Sequence, residues 1–215
     1  MLVVISATFF MVHAAPGGPF DDDRVASPEI IKQLNETYNL NDPLISQLGN
    51  YLFNALQGDF GPSYKYPGRT VSELIASGLP ITAELAFYSV LFALLLGILS
   101  GIIASLNPGK FLDHFPMSVS MIGICVPSII LGPVLILIFG IWFEILPVSG
   151  WGEFSGDKIL PTITLGSAYA AIFARLTRGG MLEILAQDFI RTARAKGLNE
   201  TRVVFFHALR GGIMP

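Results

Sequence analysis

AFYSVLFALLLGILSGIIASL, residues 86–106, runs for 21 residues without a charge. About 20 consecutive apolar residues in a helix cross the hydrocarbon of a bilayer, so this stretch predicts a membrane-spanning helix over about 82–106. Glu84 then falls near its first end, where a charge is tolerated. FPMSVSMIGICVPSIILGPVLILIFGIWF, 115–143, is a second uncharged run, of 29 residues, and predicts a span over about 116–142. ILPTITLGSAYAAIFA, 159–174, is a third run of only 16. It reaches span length, about 159–178, if Arg175 and Arg178 stretch to the interface as long basic side chains do. The whole chain agrees: 52% hydrophobic and 13% charged, against about 25% charged in soluble domains.

Within the runs, Gly97 and Gly101, and likewise Gly166, Ala170 and Ala174, recur four apart. Small residues at that spacing let helices approach closely in lipid. Pro127 and Pro133 should kink the second span, with neighbours satisfying the freed carbonyls. Phe139, Trp142 and Trp151 read as interfacial aromatics. Before the first span, MLVVISATFFMVH (1–13) is apolar but short; without a positive leader it reads as the outer half of an earlier membrane helix rather than a signal peptide. Residues 14–81 form a polar segment of helices and turns. Ser27 and Pro28 open one helix; Asp42 caps and Pro43 starts a second, striped by Leu44, Leu48, Leu52 and Leu56 and stopped by Gly58. TVSE, 70–73, is a capping box that opens a short third helix, which Pro80 separates from the span.

Charge is unevenly spread. Ala14–Leu79 carries eight acidic and four basic residues, whereas Arg175 to the end carries seven basic and three acidic. Basic segments stay in the cytoplasm, which puts residues 179–215 inside and 14–81 outside; loop 143–158, with Glu144, Glu153, Asp157 and one lysine, fits the outside. No catalytic or metal-binding pattern stands out. His13, His114 and His207 lie in separate segments, the phosphate-cradling glycine loop is absent, and the lone Cys125 reads as a small buried hydrophobe. The spans carry no central ionisable residue, so energy for any transport must come from elsewhere.

The chain closes on DFIRTARAKGLNETRVVFFHALRGGIMP, 188–215, which holds five of its thirteen Lys and Arg. GGMLEILAQDFIRTARAKGL predicts one helix ended by Gly197, and NETRVVFFHALRGG a second with Asn199 as N-cap. FIRTARAKGL followed by HALRGGIMP resembles the cytoplasmic loop of ABC importer permeases of the dipeptide/oligopeptide branch, in the family of binding-protein-dependent inner membrane components. Arg191-Thr192-Ala193 stand where wider permeases have Glu-Ala-Ala, and Gly197 follows at the family spacing. APGGPF, YNLNDPLISQ, GDFGPSYKY and ARLTRGGMLEIL also resemble this branch.

That resemblance implies an all-α, polytopic transmembrane bundle of the type I ABC importer permease fold, incomplete, with a helical external segment and a transmembrane domain over 82–215. It implies a permease subunit of the bacterial or archaeal cytoplasmic membrane, itself no enzyme and holding no cofactor, with ATP and magnesium used by a partner. Arg191, Thr192, Ala193, Arg194, Ala195, Lys196, Gly197 and Leu198 would form the helix coupling it to cytoplasmic ABC ATPase subunits. A homologous second permease subunit, an extracytoplasmic substrate-binding protein and lipid, but no nucleic acid, complete the expected partners. Peptides are the expected cargo, with nickel, glutathione and sugars as alternatives within the family. Relatives of roughly 300 residues and six helices imply that the chain is cut at both ends and does not transport alone. From the residues by themselves, a membrane-anchored adaptor with a basic tail for lipid or a soluble partner stands as the competing reading.

Overall fold

A computed structural model describes residues 2–14, 42–63, 66 and 68–212. The helix expected from Ser27 and the end at Pro215 lie outside them. Every element among the described residues is helical apart from an isolated bridge between Pro62 and Thr70, as the all-α reading requires. The chain divides into two compact units, 1–80 and 81–215.

In the first unit, α1 (Leu2–Ala14) is an apolar helix too short to span a bilayer. Helix α2 (Leu44–Leu56) starts later than expected: Pro43, not Asp42, holds the N-cap position, with no side-chain cap. The extended ψ of Pro43, 136°, sets the chain direction there, and Asp42 contributes its carbonyl to Gln47 Nε2 instead. Gly58, at φ 81°, follows the helix end in the left-handed region that favours glycine. The capping box forms reciprocally: Glu73 N donates to Thr70 Oγ1 at 3.1 Å and Thr70 N to Glu73 Oε2 at 3.2 Å.

That box opens α3 (Val71–Leu106), which runs unbroken through Pro80. The expected separation at Pro80 is absent because proline's fixed φ of about −65° is itself helical, so one hydrogen bond is lost and the helix continues. The second expected span is two helices, α4 (Phe111–Cys125) and α5 (Ser128–Leu135, wound as a π-helix over Ile136–Trp142), bent by 111° at their junction. Pro127 provides the break: it has no N–H to give, and its carbonyl accepts from Ile130 N and Leu131 N to start α5. Pro133 sits inside α5 without breaking it. Helix α6 (Ile159–Leu185) passes the expected end at 178. Gly179 and Gly180 do not terminate it. Gly180 leaves room for the backbone of Gly212, which lies where a Cβ would be.

Glycine contacts fix the directions of the spans. Gly166 packs on the Ser89 carbonyl, Gly97 on Ala170 and Ala174, and Gly101 on Ala174 and Thr177. Partner numbers rise together, so α3 and α6 run parallel. Asp113 pairs with Arg178, whereas Gly123 meets Ser167, so α4 runs antiparallel to α6. Two parallel spans joined in sequence need one crossing between them. The bent α4–α5 pair therefore carries the chain across and is a broken span rather than a loop that returns to its starting face.

Candidate functional site

After Leu185 the chain breaks at Ala186 and Gln187, then forms α7 (Asp188–Ala195) and α8, an α-helical turn at Glu200–Arg202 that continues through π-helical Val203–Ala208 into Leu209–Gly212. The single helix expected over 179–197 is thus two. Phase is the reason. Met181, Ile184 and Leu185 face the core, and a helix continued at 3.6 residues per turn would next deliver Asp188 to that face. The extended backbone of Gln187, φ −72° and ψ 151°, resets the phase so that Ile190 and Ala193 are buried instead.

The resulting core joins α7 to the membrane helices. Met181, Ile190, Val203 and Ala208 are fully buried, with Ile102, Ala193 and Val204 nearly so, and Leu198 and Leu209 packed against them. Of the eight residues expected in the coupling helix, Ala193 points inward and Leu198 is half-buried. Arg191, Thr192, Arg194, Ala195, Lys196 and Gly197 are exposed, together with Phe189. One side of α7 is anchored and the other is a basic surface.

The ends of α7 are set by local chemistry. Leu198 N donates to Ala193 O and Gly197 N to Arg194 O, with Gly197 at φ 80°. This is the paired hydrogen-bond pattern of a left-handed helix cap, accompanied by its usual apolar contact. Asn199 Oδ1 then accepts from Thr201 N at 3.1 Å and caps α8. Arg194 bridges the two helices, donating to Glu200 at 2.6 and 3.1 Å. Its guanidinium holds the Glu200 carboxyl below the usual range, and the carboxylate raises Arg194 in return. The Arg191–Asp188 pair, 3.2 Å, is exposed on both sides and adds little.

Two further ion pairs bracket α6. Arg178 Nε and Nη2 donate to the two oxygens of Asp113 at 2.6 and 2.7 Å, so Arg178 is held by α4. Near the start of α6, Glu84 accepts from Lys158 Nζ at 2.5 Å and from Trp151 Nε1 at 3.1 Å, and Glu84 holds the Lys158 ammonium above its ordinary value. From 158 to 178 is 20 residues, about 30 Å of helix at 1.5 Å per residue, the thickness of a bilayer core. The sequence missed both pairs. Their partners lie 65 and 74 residues apart, and the charge sign at span ends was the sole available signal.

The family described as "Binding-protein-dependent transport system inner membrane component" matches residues 93–215. The chain belongs to that family. The permease is similar over its whole length to the oligopeptide transport system permease protein OppB of Haemophilus influenzae, at 43% identity and covering 71% of that protein. It is 41% identical to OppB of Salmonella typhimurium, covering 71%, and 39% identical to the dipeptide transport system permease protein DppB of Bacillus subtilis, covering 70%. The family and the apolar helices make the permease a multi-pass inner membrane protein, and a transport component rather than an enzyme.

Proposed function

We propose that this chain is a permease subunit of an ATP-driven, binding-protein-dependent importer of di- or oligopeptides, and that α7 is its coupling helix, with 179–215 cytoplasmic and 14–81 outside. The observation that carries the coupling role is the split character of α7: Ile190 and Ala193 lock one side into the core beneath α6, while Arg191, Arg194, Ala195 and Lys196 are exposed. A short helix tied to a span passes a push into the membrane as a rigid-body displacement. A loop held to lipid only by charge would not. The peptide assignment follows from the OppB and DppB relatives. ATP and magnesium act in the ATPase partners, and the external segment contributes to the surface met by the binding protein. A second, homologous permease subunit completes the pathway.

The test is ATP-dependent uptake of a labelled peptide by the full-length subunit reconstituted with its partners. Gly197→Pro removes the N–H that closes the cap, and Ala193→Asp places a charge in an apolar core; both should insert normally and abolish uptake. Uptake retained by both variants, or by a tail of shuffled sequence and equal charge, would favour the basic adaptor instead.

A further inference from the structure

The Asp113–Arg178 pair sits where coupling would have to pass from the cytoplasmic helices into the bent span. Arg178 lies three residues before Met181, the fully buried side chain that packs with Ile190 of α7. On the same level, a Cβ on Gly101 of α3 would meet Thr177 and the backbone N of Arg178 at 2.6 and 3.0 Å. Asp113, the third residue of α4, also accepts from Gly109 N at 2.9 Å, which ties down the turn between α3 and α4. Its side chain is 3% exposed. Spans α4 and α6 and the α3–α4 turn therefore meet at one carboxylate, and α3 packs on the backbone of Arg178, its partner.

Stability does not explain such a pair. Burying two charges costs about as much as their attraction returns, and well-packed apolar residues often serve as well. What the pair supplies is geometry: two parallel hydrogen bonds fix both distance and angle between the partner groups. Further along, α4 meets α6 through Gly123 against Ser167. A seam of small residues holds by close packing, without a hydrophobic drive in lipid, and packed helices can slide along such seams by shear. The bidentate clasp resists that sliding.

We propose, on the basis of the permease reading above, that Asp113 and Arg178 are positioning residues that make α4 and α6 move as one body. A displacement of α7 then reaches the bend between Cys125 and Ser128 instead of dissipating as slip between the helices. The pair's role is to set how much transport each cycle of ATP hydrolysis yields.

The test compares Arg178→Lys and Asp113→Asn with the unaltered subunit in the assembled, reconstituted transporter. Uptake of labelled peptide and ATP hydrolysis are measured on the same vesicles, with inserted subunit quantified. Lysine keeps the charge but loses the fork. The expected result is a fall in peptide moved per ATP of roughly fivefold or more, the low end of typical inter-site couplings, with hydrolysis retained. The exchange Asp113→Arg with Arg178→Asp, which restores the fork, should recover part of the ratio. If Arg178→Lys inserts poorly, Asp113→Glu, which keeps the charge and shifts its reach, takes its place. An unchanged ratio in the variants, or uptake and hydrolysis falling in parallel with the amount of inserted protein, overturns the proposal. Absence of ATP-dependent uptake by the unaltered transporter would instead count against the permease reading itself.

Discussion

Replacing Ile190 by alanine probes the anchoring of α7, the proposed coupling helix. Ile190 is fully buried against a core that includes Met181, Val203 and Ala208, and the change deletes three side-chain carbons. Large-to-small changes of this type cost about 2–5 kcal/mol, transfer and cavity terms together. At about 1.36 kcal/mol per decade, that multiplies the undocked population of α7 by roughly 30 to 5,000. Ile190→Val, at about 0.5–1.5 kcal/mol, raises it only about 2- to 13-fold. Amide hydrogen exchange across 188–195, measured on the full-length subunit in membranes, reads this population directly where α7 opens as a local unit. The two variants should fall in that order, with exchange in the middle of α6 unchanged. Equal exchange in Ile190→Ala and the unaltered subunit would refute the reasoning, because α7 would then not depend on this core for its position.

Gly101→Val brings a branched side chain onto Thr177 and the carbonyl of Ala174, which lie 2.6 and 2.7 Å from a Cβ at that position. Overpacking of about 1–3 kcal/mol or more should lower the thermal midpoint of the detergent-solubilised subunit. Gly197→Ala keeps the cap hydrogen bonds but forces a side chain into the left-handed region at φ 80°, which should destabilise the α7–α8 turn by about 1–2 kcal/mol, visible as faster exchange at 194–198. The Glu200 carboxyl is depressed by Arg194. Its contribution is therefore fully present above the ordinary glutamate pKa of about 4.3 and is lost as pH falls through the lower folded value. Exchange at 194–200 should rise on acidification through that range, and Glu200→Gln should remove this dependence. The effect should be small, since both partners are about half exposed.

What was legible in the sequence is what short-range chemistry decides. The capping box at Thr70 and Glu73, the stop at Gly197 and the cap at Asn199 each depend on residues within a few positions of one another. The small residues at 97, 101, 166, 170 and 174 announced close packing through their spacing: Gly97 packs on Ala170 and Ala174, Gly101 on Ala174, and Gly166 on the Ser89 carbonyl. Residue types alone misled where one residue serves two physical ends. Gly179 and Gly180 read as the opening of a new helix after a span ending at 178, yet both lie inside α6, where Gly180 makes room for the backbone of Gly212. Pro80 reads as a break, yet its φ suits the helix. The change of phase at Gln187 has no breaker residue to signal it; burial of Ile190 and Ala193 imposes it. The clasps of Arg178 on Asp113 and of Lys158 on Glu84 depend on the mutual arrangement of three spans, which no local pattern encodes.

The most direct measurement for the account is a site-specific photocrosslink from Ala195, on the exposed side of α7, in the full-length subunit within native membranes. A crosslink to a cytoplasmic protein of ATPase size, changing in yield when ATP is added, is the predicted result. Crosslinks to lipid alone, indifferent to ATP, would contradict it and leave α7 as a basic helix resting on the membrane surface.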